Sequence, residues 1–237
     1  MKYLNLLAFL AVLVMNYLAN ALPINGKTTG ELSAQYPNLF VPAGITFSIW
    51  GIIYLLLLVF IVMQMLETHR TIVGLLGVAF VLSCLANAGW IVAWHYEKLP
   101  LSMILMLGLL ASLIYINLKL ADQSSVFLKL IFGIYLGWIC IATIANATAW
   151  LVALEWNAWG VDPRYWPVVL IAIGAAITII AMYRLQNPFL ALAVIWAFAG
   201  IILKQYGAHP IIVYAAAIGI VVVFIAFFST WRSMLLT

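Results

Sequence analysis

Apolar residues run through this chain in blocks long enough to cross a bilayer, and polar residues collect mostly between the blocks. Eight blocks are readable, at about residues 3–22, 44–66, 72–95, 100–121, 126–153, 166–184, 188–205 and 210–231. Most come close to the ~20 residues that a spanning helix needs. Inside lipid a segment must pair its own backbone N–H and C=O groups, so unbroken runs of this length predict helices. The fifth block is longer than the rest, which predicts a tilted helix or projecting ends. Blocks six and seven are separated only by Leu185-Gln186-Asn187-Pro188, a tight helical hairpin with proline at the next start. One connection is long, residues 23–43, rich in Gly, Pro, Asn and Thr. The first block admits a second reading as a signal peptide, because Lys2 precedes it and Ala19-Asn20-Ala21 has a small-residue pattern; its loss would leave seven helices.

Polar residues within the blocks are few and patterned. Asn87 stands three residues before Trp90, and Asn146 four before Trp150. An amide in hydrocarbon needs a partner, so it faces other helices or a cavity. Phe47, Trp50 and Tyr54 fall at i, i+3 and i+7, which is one face of a helix, and Asn87, Trp90 and Trp94 repeat that spacing. In the fifth block Trp138, Ala142, Asn146 and Trp150 step by four, with Ala145 and Ala149 on nearly the same stripe and Gly133 and Gly137 before it. Small side chains let helices approach closely or leave room for a flat ligand. Each stripe alone reads as bundle packing; three together point to an aromatic-lined cavity with few polar groups.

Composition sharpens the class. Hydrophobic residues make up 68% of the 237, charged residues 7%, and the mean hydropathy is +1.21, too little polar surface for a water-soluble domain. The chain is therefore read as an all-α, polytopic membrane bundle of about eight helices. A net charge of +4 does not imply nucleic acid as a partner, because the lysines and arginines are scattered singly. Lys2, Arg70, Lys119, Lys129, Arg184 and Arg232 fall at one set of block ends, and Lys27, Lys98, Arg164 and Lys204 at the other. That bias places both termini in the cytoplasm and loop 23–43 outside. Trp156, Trp159, Tyr165, Trp166 and Trp231, near block ends, read as an interfacial aromatic belt. His69, His95 and His209 make no i, i+4 pair, so no metal site is predicted, and His95 is read as a solvated side chain at a helix end. Trp196, mid-block, is read as packing. No catalytic triad, zinc-protease motif or phosphate loop is present in the sequence.

Taken in order, these motifs resemble the tryptophan-rich sensory protein family, also called translocator protein or TspO. The family's second helix opens with proline, then Trp eight residues later and Tyr four after that, matched by Pro42, Trp50 and Tyr54. Asn87 and Trp90 match its third helix; Trp138, Ala142, Thr143, Asn146 and Trp150 match its fifth. Departures are Ala43-Gly44-Ile45, where the family often has a second proline and an aromatic residue, and Ala145, where leucine is usual. The motifs cover residues 1–153, which divides the chain into a five-helix core at 1–155 and a three-helix extension at 156–237.

The resemblance implies a pocket lined by Trp50, Asn87, Trp90, Trp138, Ala142 and Ala145, with Asn146 on the same stripe, Phe47 and Tyr54 added by the face argument, and the first loop, Pro42 included, as a lid. It also implies a planar hydrophobic ligand: a tetrapyrrole such as porphyrin or haem, or a sterol-like molecule. No obligatory cofactor is implied. The leading expectation is a membrane receptor or binding protein with a sensory, scavenging or transport role, embedded in a prokaryotic cytoplasmic membrane and compatible with a homodimer. The alternatives are a secondary transporter or permease component and, third, a light-dependent porphyrin-degrading enzyme. The missing acid–base constellation disfavours enzymes, and the missing mid-membrane charge disfavours ion-coupled transport.

Overall fold

A computed structural model describes residues 1–22, 24–65 and 70–236, without the side chains of 70–73, 235 and 236. His69 and the Arg70 side chain therefore lie outside the described residues. The chain forms α1 (Lys2–Asn20), α2 (Thr29–Gln35), α3 (Ile49–Met63), α4 (Arg70–His95), α5 (Leu99–Ala121), α6 (Val126–Ala153), α7 (Tyr165–Leu185), α8 (Leu190–Gln205) and α9 (Pro210–Leu236). Short 3-10 turns stand at Ile24–Gly26, Gly44–Ser48 and Ala158–Gly160. Among the described residues, seven segments are long and apolar enough to cross a membrane. The eighth, α8, has 16 residues, so at ~1.5 Å per residue it is shorter than a ~30 Å hydrocarbon core. Its block loses length because residues 186–189 form the corner. Gln186 takes a left-handed conformation (φ 48°) that ends α7, and the Asn187 side-chain oxygen accepts from the Phe189 amide at 3.1 Å. Leu55, Val62, Ile104, Ile180, Ile218 and Ile225 are exposed apolar side chains. Such surfaces face lipid; this is an integral membrane protein.

The chain packs as two compact units, residues 1–35 with 50–132 and residues 36–49 with 133–237. Residues 36–49 pair with α8, and α6 gives its first seven residues to one unit and the rest to the other. In the first unit α4 packs against α1, α2 and α5. Phe60 of α3, Phe80 of α4 and Phe132 of α6 are fully buried, with ring centroids 5.0 to 6.3 Å apart. Asn117 of α5 donates to the carbonyls of Leu113 and Phe132, an interhelical link of the kind lipid favours. In the second unit α7, α8 and α9 pack on one another. There Gly133 and Gly137 of α6 receive the α7–α8 corner: a Cβ on Gly133 would lie 2.7 Å from the Asn187 side chain, and one on Gly137 would collide with the Leu190 carbonyl. Also in this unit, Trp156, Trp159 and Trp166 form an edge-to-face cluster with centroids 4.9 to 5.5 Å apart, and Trp159 is 76% exposed.

The long connection is divided between the units, residues 24–35 in the first and 36–43 in the second. Its first half is anchored within the first: Asn25 donates to the His95 carbonyl at 3.1 Å, and Lys27 pairs with Glu97 at 3.5 Å. Thr28 and Glu31 form a capping box on α2. The Glu31 carboxylate accepts from the Thr28 amide at 2.7 Å and from its hydroxyl at 2.9 Å, and these bonds hold its pKa below the ordinary 4.5. A lowered carboxylate pKa contributes stability above the ordinary value that is lost as pH falls through the folded value. Amide protection in α2, corrected for intrinsic exchange, is expected to drop as pH falls below about 4.5, and Glu31→Ala to remove that dependence. Equal pH dependence in both proteins would refute the capping role.

Candidate functional site

In the first unit the aromatic residues of α3 and α4 form a continuous ladder. Tyr54 stacks on Trp50 (centroids 5.5 Å, interplanar angle 19°), Trp50 on Trp90 (6.2 Å, 27°) and Trp90 on Trp94 (5.9 Å, 20°). The helix period makes this possible. Tyr54 sits one turn after Trp50, and Trp94 one turn after Trp90, so each helix supplies two rungs on one face. All four rings are buried to at least nine-tenths. Their near-parallel planes present the geometry that a flat aromatic molecule can extend by offset stacking.

One end of the ladder carries a polar node. The Tyr54 hydroxyl accepts from Asn87 Nδ2 at 3.4 Å and from Asn16 Nδ2 of α1 at 3.2 Å. Three helices thus meet at one phenolic oxygen. Asn87 is 1% exposed, so its amide belongs inside the bundle, as the motif reading required. Asn20 donates to the Asn16 carbonyl at 3.0 Å and continues the polar line along α1.

His95, by contrast, is not a solvated helix end. It is 0% exposed, and its Nδ1 bonds the Ile91 carbonyl at 2.7 Å. The 24–26 turn packs on α4 and α1 and is tied by Asn25 to the His95 carbonyl. A carbonyl oxygen can only accept, so Nδ1 is the donor of the bond to Ile91. No group of three or more His, Cys, Asp or Glu residues that could hold a metal occurs among the described residues.

The second unit holds the other candidates. Phe47 meets Trp138 edge-on, with centroids 5.9 Å apart and planes at 86°. Phe47 lies in the Gly44–Ser48 3-10 turn, and α3 begins at Ile49. Pro42 is buried against Gly200 of α8, which makes it an anchor point of the loop. Ala142 and Ala145 are half-buried on α6, and Asn146 is buried among the same turns.

Trp50, Tyr54, Asn87 and Trp90 thus assemble in one unit, and Pro42, Phe47, Trp138, Ala142, Ala145 and Asn146 belong to the other. Sequence reasoning missed Asn16 as part of the node and did not place Trp94 among the candidate ligand residues. The helical phase of Trp94 with Trp90 was a usable signal. Nothing local marks Asn16, 38 residues from its partner.

A family model described as TSPO-like protein matches residues 2–229. The match runs on through α7, α8 and most of α9, beyond the 1–153 covered by the motifs. No curated protein and no solved structure matches the chain.

Proposed function

The chain belongs to the TSPO-like protein family, and on that premise we propose that it binds a planar hydrophobic ligand within the membrane, a tetrapyrrole such as a porphyrin. The observation that carries this reading is the Tyr54–Trp50–Trp90–Trp94 ladder with its Asn16–Tyr54–Asn87 node. Indole faces supply broad, rigid apolar area at low entropic cost. A macrocycle with polar substituents needs a few convergent hydrogen-bonding groups among such faces, and the node supplies them. Phe47, Trp138, Ala142, Ala145 and Asn146, all in the other unit, are a separate candidate set in this proposal. Small residues at 142 and 145 leave the Trp138 stripe open to a flat molecule. Sensing, scavenging or passage of the ligand are the roles that such binding serves.

The test is quenching of tryptophan fluorescence by protoporphyrin IX in the detergent-solubilised chain. Saturable quenching is expected, at least fivefold weaker in Asn87→Ala and Trp138→Phe while both variants keep the parent's melting profile; a fivefold loss corresponds to about 1 kcal/mol. Unsaturable quenching, or quenching untouched by both substitutions, would refute the proposal. Following the porphyrin absorbance in light and in darkness separates binding from breakdown, and uptake into proteoliposomes separates it from transport.

A further inference from the structure

Residues 36–48 form a strap on α8 within the second unit. Asn38 shapes its start, accepting through Oδ1 from the amides of Phe40 and Val41 at 3.2 and 3.0 Å. Three hydrogen bonds then fasten it. Gln205 Nε2 donates to the Leu39 carbonyl at 2.9 Å, the Ala43 amide donates to the Gly200 carbonyl at 3.0 Å, and Trp196 Nε1 donates to the Thr46 carbonyl at 2.8 Å. Gly200 makes the approach possible: a Cβ there would collide with the Thr46 hydroxyl and lie 2.9 Å from the Pro42 ring. Trp196 and Gly200 stand one helical turn apart, so one face of α8 bears two of the three fastenings.

The strap ends at a candidate ligand contact. Phe47 directly follows Thr46, whose carbonyl Trp196 holds, and the Phe47 ring packs edge-on against Trp138. Trp196 is 41% exposed, so packing alone does not account for an indole at this position; its donor nitrogen has a defined acceptor. We infer that α8 is the seat of the entrance strap and that Trp196 is a positioning residue, which sets Phe47 against Trp138 and makes detachment of the strap from α8 a step in ligand entry and exit. The inference rests on the binding reading above, in which Phe47 and Trp138 touch the ligand. It also assigns a task to α8: the helix too short to span serves as an internal anchor.

Trp196→Phe retains an aromatic ring and deletes the donor. Two measurements test the role. The first is hydrogen–deuterium exchange of peptides covering 39–47, without ligand. Losing one hydrogen bond worth ~1 kcal/mol is expected to accelerate exchange about fivefold there and leave α7 and α9 unchanged. Gln205→Met, which releases the other end, is expected to act in the same direction. The second is stopped-flow mixing with protoporphyrin IX, where the association and dissociation rates are expected to rise together about fivefold in Trp196→Phe while Kd moves less than twofold. Reduced binding capacity with unchanged rates would instead mark ordinary destabilisation and overturn the positioning role. Unchanged exchange at 39–47 overturns the attachment. If the intact chain takes up no porphyrin, the binding reading fails and the entry step with it, whereas the exchange measurement still decides whether α8 holds the strap.

Discussion

Gly137→Val is expected to lower the melting temperature of the detergent-solubilised protein steeply and to shrink its monodisperse fraction. The position leaves no room. A Cβ on Gly137 would collide with the Leu190 carbonyl oxygen and lie 3.0 Å from the carbonyl carbon and Cα of the same residue. These are backbone atoms in the first turn of α8, so no rotamer change relieves the clash. One turn earlier, a Cβ on Gly133 would meet Asn187 and Phe189, so the α7–α8 corner is seated on two glycines of one helix face. Overpacking a close-packed contact costs about 1–3 kcal/mol, and a backbone-on-backbone collision belongs at or above the upper end of that range. Where packing rather than water drives helix association, the lost approach has no hydrophobic compensation. Gly108→Ala is the control. Nothing lies within 4 Å of its Cβ position in α5, and the change is expected to be neutral or to stabilise by about 0.4–1 kcal/mol. Equal melting of Gly137→Val and the parent would mean that the corner is not seated on α6 as described.

The second large effect is expected for Tyr54→Phe. The ring and its stack on Trp50 remain, and only the oxygen goes. That oxygen is the common acceptor for Asn16 and Asn87, so its removal takes a bond from each. Leaving buried donors unsatisfied costs ~1–3 kcal/mol each in general. Hydrogen bonds between membrane helices are worth less, on the order of 0.6 and at most about 1.7 kcal/mol, because amides in lipid find other partners. A loss of about 1–2 kcal/mol follows for Tyr54→Phe. Asn16→Leu removes one donor and leaves the bond to Asn87, so it is expected to cost less than half as much. The ordering tests the node: a larger loss for Asn16→Leu would mean that Tyr54 is not where the helices converge. Porphyrin affinity is expected to fall with Tyr54→Phe if the node meets the ligand's polar edge, and titration of the folded variant reads that separately from melting.

Several residues show how far sequence reasoning reached. The amide of Asn87 had to face inward, and it does, because hydrocarbon offers an amide nothing else. Trp50 with Tyr54 and Trp90 with Trp94 had to share faces, because four residues make about one turn. His95 was misread because its position near a helix end suggested water; it is buried, and its carbonyl is tied to Asn25, 70 positions earlier. The start of α3 was placed too early, because an apolar run does not distinguish the Gly44–Ser48 3-10 turn from the first turn of an α-helix.

The linear chain was sufficient to determine that this is an all-helical membrane protein and where most of its spans lie. Those properties are local, since a helix satisfies its own backbone and the length of an apolar run measures what it can cross. The sequence also set which side chains share each helix face. Only the tertiary structure decided which faces meet: Asn16 with Tyr54, Gly137 with the first turn of α8, Trp196 with a carbonyl 150 residues away. Hydropathy is silent on such pairings because, in a bilayer, an apolar face is equally at home against lipid and against another helix. Close approach, small residues and a few directed hydrogen bonds make the choice, and they act between residues far apart in the chain.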